Sequence, residues 1–303
     1  MSNRRAFLKS TLAAGGAAML AKGEFAEAAA RKKRKPIPVG IEMYSVKDEE
    51  AKDILATLRA LKEMGYEGVE FWAPYLEWTP EKLKDVRKQL DDLGMKAFST
   101  HNRAHYFDEA NFAKVTEYNQ ALGSKYVIMA QPNKPEGMDA WKAVADVLSS
   151  AHAKLKKHKM KAGFHNHGTE WKPVIDGQDG NQAGNQDGNK VRPIDVLAKH
   201  TPKDFHFQCD TATCYAAGGD PIAFMKANPG RVKSFHLKDW SPDKDKGYKV
   251  LLGEGIGDWP KIIETAETIG GVEYYLIEQE GSRFPPMETV QRCLENFRKL
   301  RGA

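Results

Sequence analysis

Residues 39–72 read VGIEMYSVKDEEAKDILATLRALKEMGYEGVEFW. A short β-rich run, Val39–Tyr44, passes into a helical pattern at 48–64, which Gly65 closes, and a second β-rich run, Gly68–Trp72, follows. One period-two run, one helical stretch and another run make a βαβ unit and imply a parallel sheet. The same alternation continues outward through Ala97–Thr100, Tyr126–Ala130, Lys161–His165, Phe205–Cys209, Val232–Leu237 and Tyr274–Glu278. Helical patterns at 79–93, 108–122, 138–159, 191–200, 220–228, 259–269 and 287–301 separate or follow these runs. Asp53, Thr79 and Asp108 stand near helix starts, and Gly94 and Gly123 stand just after helix ends. Eight units favour closure into a single (β/α)8 TIM barrel over an open sheet. No G-x-G-x-x-G follows the first run, which removes the main signal for a dinucleotide-binding fold.

Size and charge agree with one barrel and divide the chain in two. A chain of 303 residues at 41% hydrophobic composition can bury one large core. Residues 1–35 carry nine Lys or Arg against two acids, so the net +5 of the chain leaves the remainder slightly acidic. That balance argues against a nucleic-acid partner. The basic start has its own reading. Arg4-Arg5-Ala6-Phe7-Leu8-Lys9 resembles a twin-arginine export signal, Thr11–Ala21 is a mild apolar stretch, and Ala26-Glu27-Ala28 offers small residues to a signal peptidase. The apolar stretch is too short for a permanent membrane span, which needs about 20 residues. The domain expectation is therefore an export signal and basic linker over 1–35, then the barrel over 36–303, with a periplasmic location. Cys209, Cys214 and Cys293 form no disulfide framework. Asp176–Lys190 has almost nothing to bury and reads as a surface loop; its D-x-x-D-G spacing lacks the closing Glu of a calcium loop.

Active sites of such barrels gather at the C-terminal ends of the strands. There the sequence places Glu70 and Trp72, then His101, then His165, His167 and Glu170, then Asp210, then His236, Lys238 and Asp239, and finally Glu278 and Glu280. One strand-end histidine is usually a structural residue, and one aspartate is often a helix cap. Their convergence in a single mouth is what signifies, because carboxylates and imidazoles crowded together desolvate one another unless a cation sits among them. A mixed carboxylate and imidazole shell suits one divalent ion, with Mn2+ ahead of Mg2+, Co2+ or Zn2+.

From the fifth run onward the chain resembles the sugar phosphate isomerase/epimerase family of the xylose isomerase-like TIM barrel superfamily. The resemblance rests on Gly163-Phe164-His165-Asn166-His167 with Glu170, on Asp210 before Gly218-Gly219-Asp220-Pro221, on His236-Leu237-Lys238-Asp239, on Gly253-Glu254-Gly255-Ile256-Gly257-Asp258-Trp259, and on Glu278-Gln279-Glu280. Gly40–Asp48 is similar to the family's first strand, so the resemblance spans essentially 37–300. It implies a metal site of Glu170, Asp210, His236 and Glu278. By the period of two, Glu278 and Glu280 point the same way, and either could be the last ligand; Glu278 aligns better with the strand end.

The chemistry expected of such a site is proton transfer next to a carbonyl, through an enediolate. The base candidates are His167, His165 and Glu280, while Lys238 either meets an oxyanion or forms an ion pair within the protein. Tyr44, Glu70, Trp72 and His101 would shape a sugar subsite. The leading expectation is an isomerase or epimerase of an unphosphorylated sugar or keto-sugar, since export disfavours phosphosugars. The alternative is a lyase or hydratase of a keto-glycoside or inosose, and homo-oligomerisation is left open by the sequence. The export expectation has a direct check. A reporter fused to residues 1–35 should reach the periplasm, and an Arg4→Lys/Arg5→Lys pair should hold it in the cytoplasm; normal export of the pair would discard the twin-arginine reading.

Overall fold

The eight runs fold as eight parallel strands of one closed barrel in the computed structural model, which describes residues 36–175 and 190–302. They are β1 (Val39–Glu42), β2 (Gly68–Phe71), β3 (Lys96–Arg103), β4 (Tyr126–Gln131), β5 (Lys161–His165), β6 (His206–Asp210), β7 (Val232–Leu237) and β8 (Tyr274–Ile277). Each pairs with its neighbours in chain order, and β8 closes on β1 through Val39 with Tyr275 and Ile41 with Ile277. β1, β2, β6 and β8 are buried at every residue, as expected of strands with side chains inside the barrel and helices outside. The expected export signal lies outside the described residues, as does most of the polar loop. Val174–Ile175 and Lys190–Val191, which flank that loop, pair as a small antiparallel ribbon. Among the described residues no helix is long and apolar enough to cross a membrane.

Helix boundaries follow the local chemistry with two exceptions. Thr79 accepts from Lys82 N–H at 3.2 Å and starts the helix Pro80–Leu93, and Gly94 and Gly123 follow the helices they were predicted to end. The single helix predicted at 48–64 is two, Lys47–Lys52 and Ile54–Met64. Asp53 between them is extended and caps the second by accepting from Ala56 N–H at 2.9 Å. Asp108 stands at a helix N-cap but makes no side-chain cap bond.

Inside the barrel the side chains stack in two levels of opposite character. The lower level is aromatic: Phe98 stacks on Tyr274 with ring centroids 5.0 Å apart, and Tyr126 lies 4.3 Å from His206. Gly68 makes room for it, because a Cβ there would come within 2.6 Å of the Phe98 ring. Above it, toward the C-terminal strand ends, buried Glu70, His165, Gln208 and His236 make a polar level. Register aligns it: Glu42 pairs with Glu70, and Asp210 with His236. The barrel is thus plugged with rings below and polar above.

One buried carboxylate ties the upper rim together. Asp239, just past β7 and fully buried, accepts from Trp240 N–H at 2.9 Å, Gly253 N–H at 2.9 Å, Gly255 N–H at 3.0 Å, Gly257 N–H at 3.2 Å and Trp259 Nε1–H at 2.7 Å. The loop wraps so closely that a Cβ on Gly255 would meet the carboxylate at 2.2 Å. Two motifs far apart in sequence are therefore one hydrogen-bonded body. Asp239→Ala is expected to lose at least about 3 kcal/mol of stability in urea titrations, because buried donors lose a charged acceptor. Wild-type stability in this variant would mean that the loop holds itself.

Candidate active site

The upper level is organised around His236, which is fully buried at the end of β7. Its Nδ1 lies 2.8 Å from Glu278 Oε2 and its Nε2 lies 2.6 Å from Glu70 Oε1. Burial alone would push this imidazole down, but Glu278 and Glu70 on either side raise it to about 10. The carboxylates respond in kind. Burial would raise Glu70, yet His101 and His236 hold it well below its usual range, and Lys238 with His236 do the same for Glu278.

Gln208 of β6 locks the rest of the floor. Its Nε2 donates to Glu70 Oε2 at 2.8 Å, so its Oε1 is the acceptor facing His165 Nδ1 at 2.9 Å and His101 Nε2 at 2.5 Å. Both imidazoles therefore carry hydrogen on those nitrogens, and His165 keeps Nε2 unspent. Burial first, and then the neighbouring His236, His101 and His167, hold His165 well below the ordinary histidine range, so it is neutral at neutral pH. Ser99 also bonds to Glu70 Oε2, and His101 Nε2 lies 3.0 Å from Glu70 Oε1. Glu42 beside them is buried with no hydrogen-bond partner at either oxygen. Burial first, and then the charge of Glu70, push its carboxyl well above the usual range.

Above this floor opens a cavity of about 300 Å³, whose lining includes Glu42, Tyr44, Trp72, His165, His167 and Glu278. Of the four ligands expected from the sequence, three come together. One ligand atom from each of Asp210, His236 and Glu278 lies within 4.8 Å of the others, and all three residues are buried. Asp210 also accepts from Thr213 N–H at 2.9 Å, so it caps the short helix Thr211–Ala216 as well. Burial raises Asp210, with Lys238 opposing. Glu170 is not in that group, and its Oε2 accepts from His167 N–H at 2.8 Å and from the Thr169 hydroxyl at 3.4 Å. Two further groups of converging ligand atoms are Glu42, Glu70, His101 and His236, and His101, His165 and His236.

The remaining expected residues take distinct places. Lys238 is buried, with Nζ 3.6 Å from Glu278 Oε2 and paired to the exposed Glu280. His167 is half-buried on the cavity wall, its ring 4.8 Å from that of His165. Tyr44 and Trp72 meet edge to face at 5.0 Å, and Trp72 Nε1–H donates to Glu50 at 2.9 Å. Glu70 is wholly buried under His236 and His101, so it sits beneath the cavity floor rather than on its wall. Glu42, Glu50 and Gln208 were missed from sequence. The alternation His206, Gln208, Asp210 was there to be read, since all three leave β6 on one face.

A closed barrel with carboxylates and imidazoles at its C-terminal mouth defines the class as a TIM barrel with a site fit for a divalent metal. Residues 58–300 match the profile of the xylose isomerase-like TIM barrel family, and the chain belongs to it. No curated protein sequence matches. Among solved structures, a sugar phosphate isomerase/epimerase from Parabacteroides distasonis is 22% identical with a TM-score of 0.70, over 87% of this chain and 94% of that one. The IOLI protein with a bound zinc atom is 14% identical with a TM-score of 0.65, over 87% and 97%. The 3-keto-D-glucoside 4-epimerase of E. coli is 14% identical with a TM-score of 0.62, over 87% and 100%.

The Glu50–Trp72 contact has a measurable signature. Burial pushes Glu50 up to about 7, against the Trp72 hydrogen bond and Lys82, which pull it down. Its folded pKa exceeds the unfolded value of about 4.3, so the native state binds more protons between the two and stability falls as pH rises through that window. Glu50→Gln keeps an acceptor for Trp72 without the charge. Its stability should match wild type near pH 4 and exceed it by up to about 3 kcal/mol above pH 7, in denaturant titrations across that range. Parallel pH profiles would mean that Glu50 ionises freely in the folded chain.

Proposed function

We propose that this chain is an isomerase or epimerase of an unphosphorylated sugar or keto-sugar, working with one divalent metal held by Asp210, His236 and Glu278. The observation that carries the reading is the convergence of these three ligand atoms within 4.8 Å beneath the 300 Å³ cavity. Two carboxylates and an imidazole are a donor set suited to Mn2+, with Mg2+, Co2+ and Zn2+ as competitors. A divalent ion at this site supplies Lewis acidity toward a substrate carbonyl. The relatives' names, a sugar phosphate isomerase/epimerase and a keto-glucoside epimerase, point to the same class of chemistry.

The chain's own residues would do the rest. Glu70 accepts from His236 Nε2 and turns the ring so that Nδ1 faces Asp210 and Glu278. His167, half-buried on the cavity wall, is assigned the proton transfer at the substrate carbon, and Glu170 tethers its backbone. His165 lies beside it as a neutral imidazole with Nε2 free. Lys238, next to Glu278, places positive charge where negative charge develops. The paired histidines also suit a second reading, a lyase or hydratase, because one imidazole can take a proton while the other gives one to a leaving group.

Metal analysis combined with NMR of solvent-deuterium exchange into free ketoses and keto-glycosides tests the proposal. Asp210→Ala should lose both metal and exchange. Glu170→Ala should keep the metal, and His167→Ala should keep it while exchange falls by roughly two to four orders of magnitude. Full metal occupancy in Asp210→Ala, or no exchange with any sugar, would reject the proposal.

A further inference from the structure

One wall of the mouth is left unused by the proposed chemistry. Arg103 ends β3 and Gln131 ends β4, the two are register partners, and both line the cavity. Strand geometry aims Arg103 there, because Ser99, His101 and Arg103 leave β3 on one face by the period of two. Ser99 bonds to Glu70 and His101 Nε2 faces Gln208 at the floor. Arg103 therefore stands one step higher on the same face, about 6.6 Å along the strand from His101. Asn102 between them turns the other way, where its Oδ1 accepts from the Tyr75 hydroxyl at 2.8 Å and its Nδ2 donates to Ile128 O at 3.3 Å.

The side chains of Arg103 and Gln131 are exposed, and among the described residues neither makes a hydrogen bond or ion pair. The acids of the lining are engaged elsewhere: Glu278 with His236 and Lys238, and Glu280 with Lys238. Among the described residues that line the cavity, Arg103 is the one Lys or Arg. A guanidinium is always charged and presents a fork of N–H donors that matches a carboxylate, and the amide of Gln131 adds a neutral donor beside it. A doubly charged phosphate calls for several cations or a nest of backbone N–H groups, and this wall offers a single cation. We infer that the natural substrate is a sugar acid, whose carbonyl lies at the metal ligands and whose carboxylate, at the far end of the sugar chain, is held by Arg103 with Gln131 beside it. The inference rests on the sugar-directed reading of the mouth and names its substrate class.

Binding to the metal-loaded full chain tests it separately from the chemistry. Calorimetry should show glucuronate binding at least about tenfold more tightly than glucose, the worth of one charge-assisted hydrogen bond. Arg103→Gln should bring that ratio toward one. Gln131→Glu should do the same, because an acid beside Arg103 takes its fork and repels a carboxylate; it leaves Arg103 in place and so carries the test even where Arg103→Gln disturbs the strand end. Equal affinities in the wild type, or no binding of either sugar, would overturn the inference. So would a ratio that survives in either variant, the result if the metal alone takes the carboxylate, and so would tighter binding of glucose 6-phosphate than of glucuronate. Deuterium exchange is then compared between fructuronate and fructose. A higher kcat/KM for the acid is expected, and equal values also overturn the inference. No exchange with either sugar, while glucuronate still binds the tighter through Arg103, would reject the proposed chemistry and uphold the carboxylate site.

Discussion

An imidazole held between two carboxylates sets the upper half of this barrel. His236 touches Glu70 with one ring nitrogen and Glu278 with the other, and all three are buried. In such a place an unpaired charge is costly, so each neighbour must answer the one before it. Glu70 meets that demand by also taking Ser99, His101 and Gln208, and Gln208 in turn fixes His165. The polar floor is one connected network in which the orientation of each group follows from the next. Asp210 comes from β6 to the same place, with one oxygen within 4.8 Å of ligand atoms on His236 and Glu278.

The same economy of buried charge holds the rim in place. Asp239 gathers five donors from a loop and a helix that lie up to 20 residues away, so the wall next to Lys238 is rigid. Beneath the network the packed rings of Phe98, Tyr126, His206 and Tyr274 close the barrel. Polar chemistry is thereby confined to one end, and the cavity opens only there. Rigid surroundings of this kind keep a ligand set within the narrow tolerances that metal binding and proton transfer require.

Much of this was open to reading along the chain. Strand and helix alternation is a local signal, carried by apolar periodicity and by caps such as Asp53 and Thr79, and it led to eight units and a closed barrel. Asp210, His236 and Glu278 were legible because strand ends in a barrel share one mouth. Glu170 was expected as a ligand because the family resemblance implied it. Its carboxylate instead folds back on the His167 amide three residues earlier, a local bond that residue type alone does not reveal. Glu42 went unread because a lone Glu inside an apolar run has no meaning until the register shows what stands beside it.

By itself the sequence determined the fold class, the number of strands and the end of the barrel where chemistry gathers, because periodicity and punctuation are properties of neighbours in the chain. Only the tertiary structure decided which groups touch. Glu42 and Glu70 meet across β1 and β2, His236 lies between residues 166 positions before it and 42 after it, and one cavity takes its lining from Tyr44 toward the start of the chain and Glu280 toward its end. Hydrogen bonds and shifted proton affinities act over a few ångströms, and closing the barrel is what brings such distant residues within that reach.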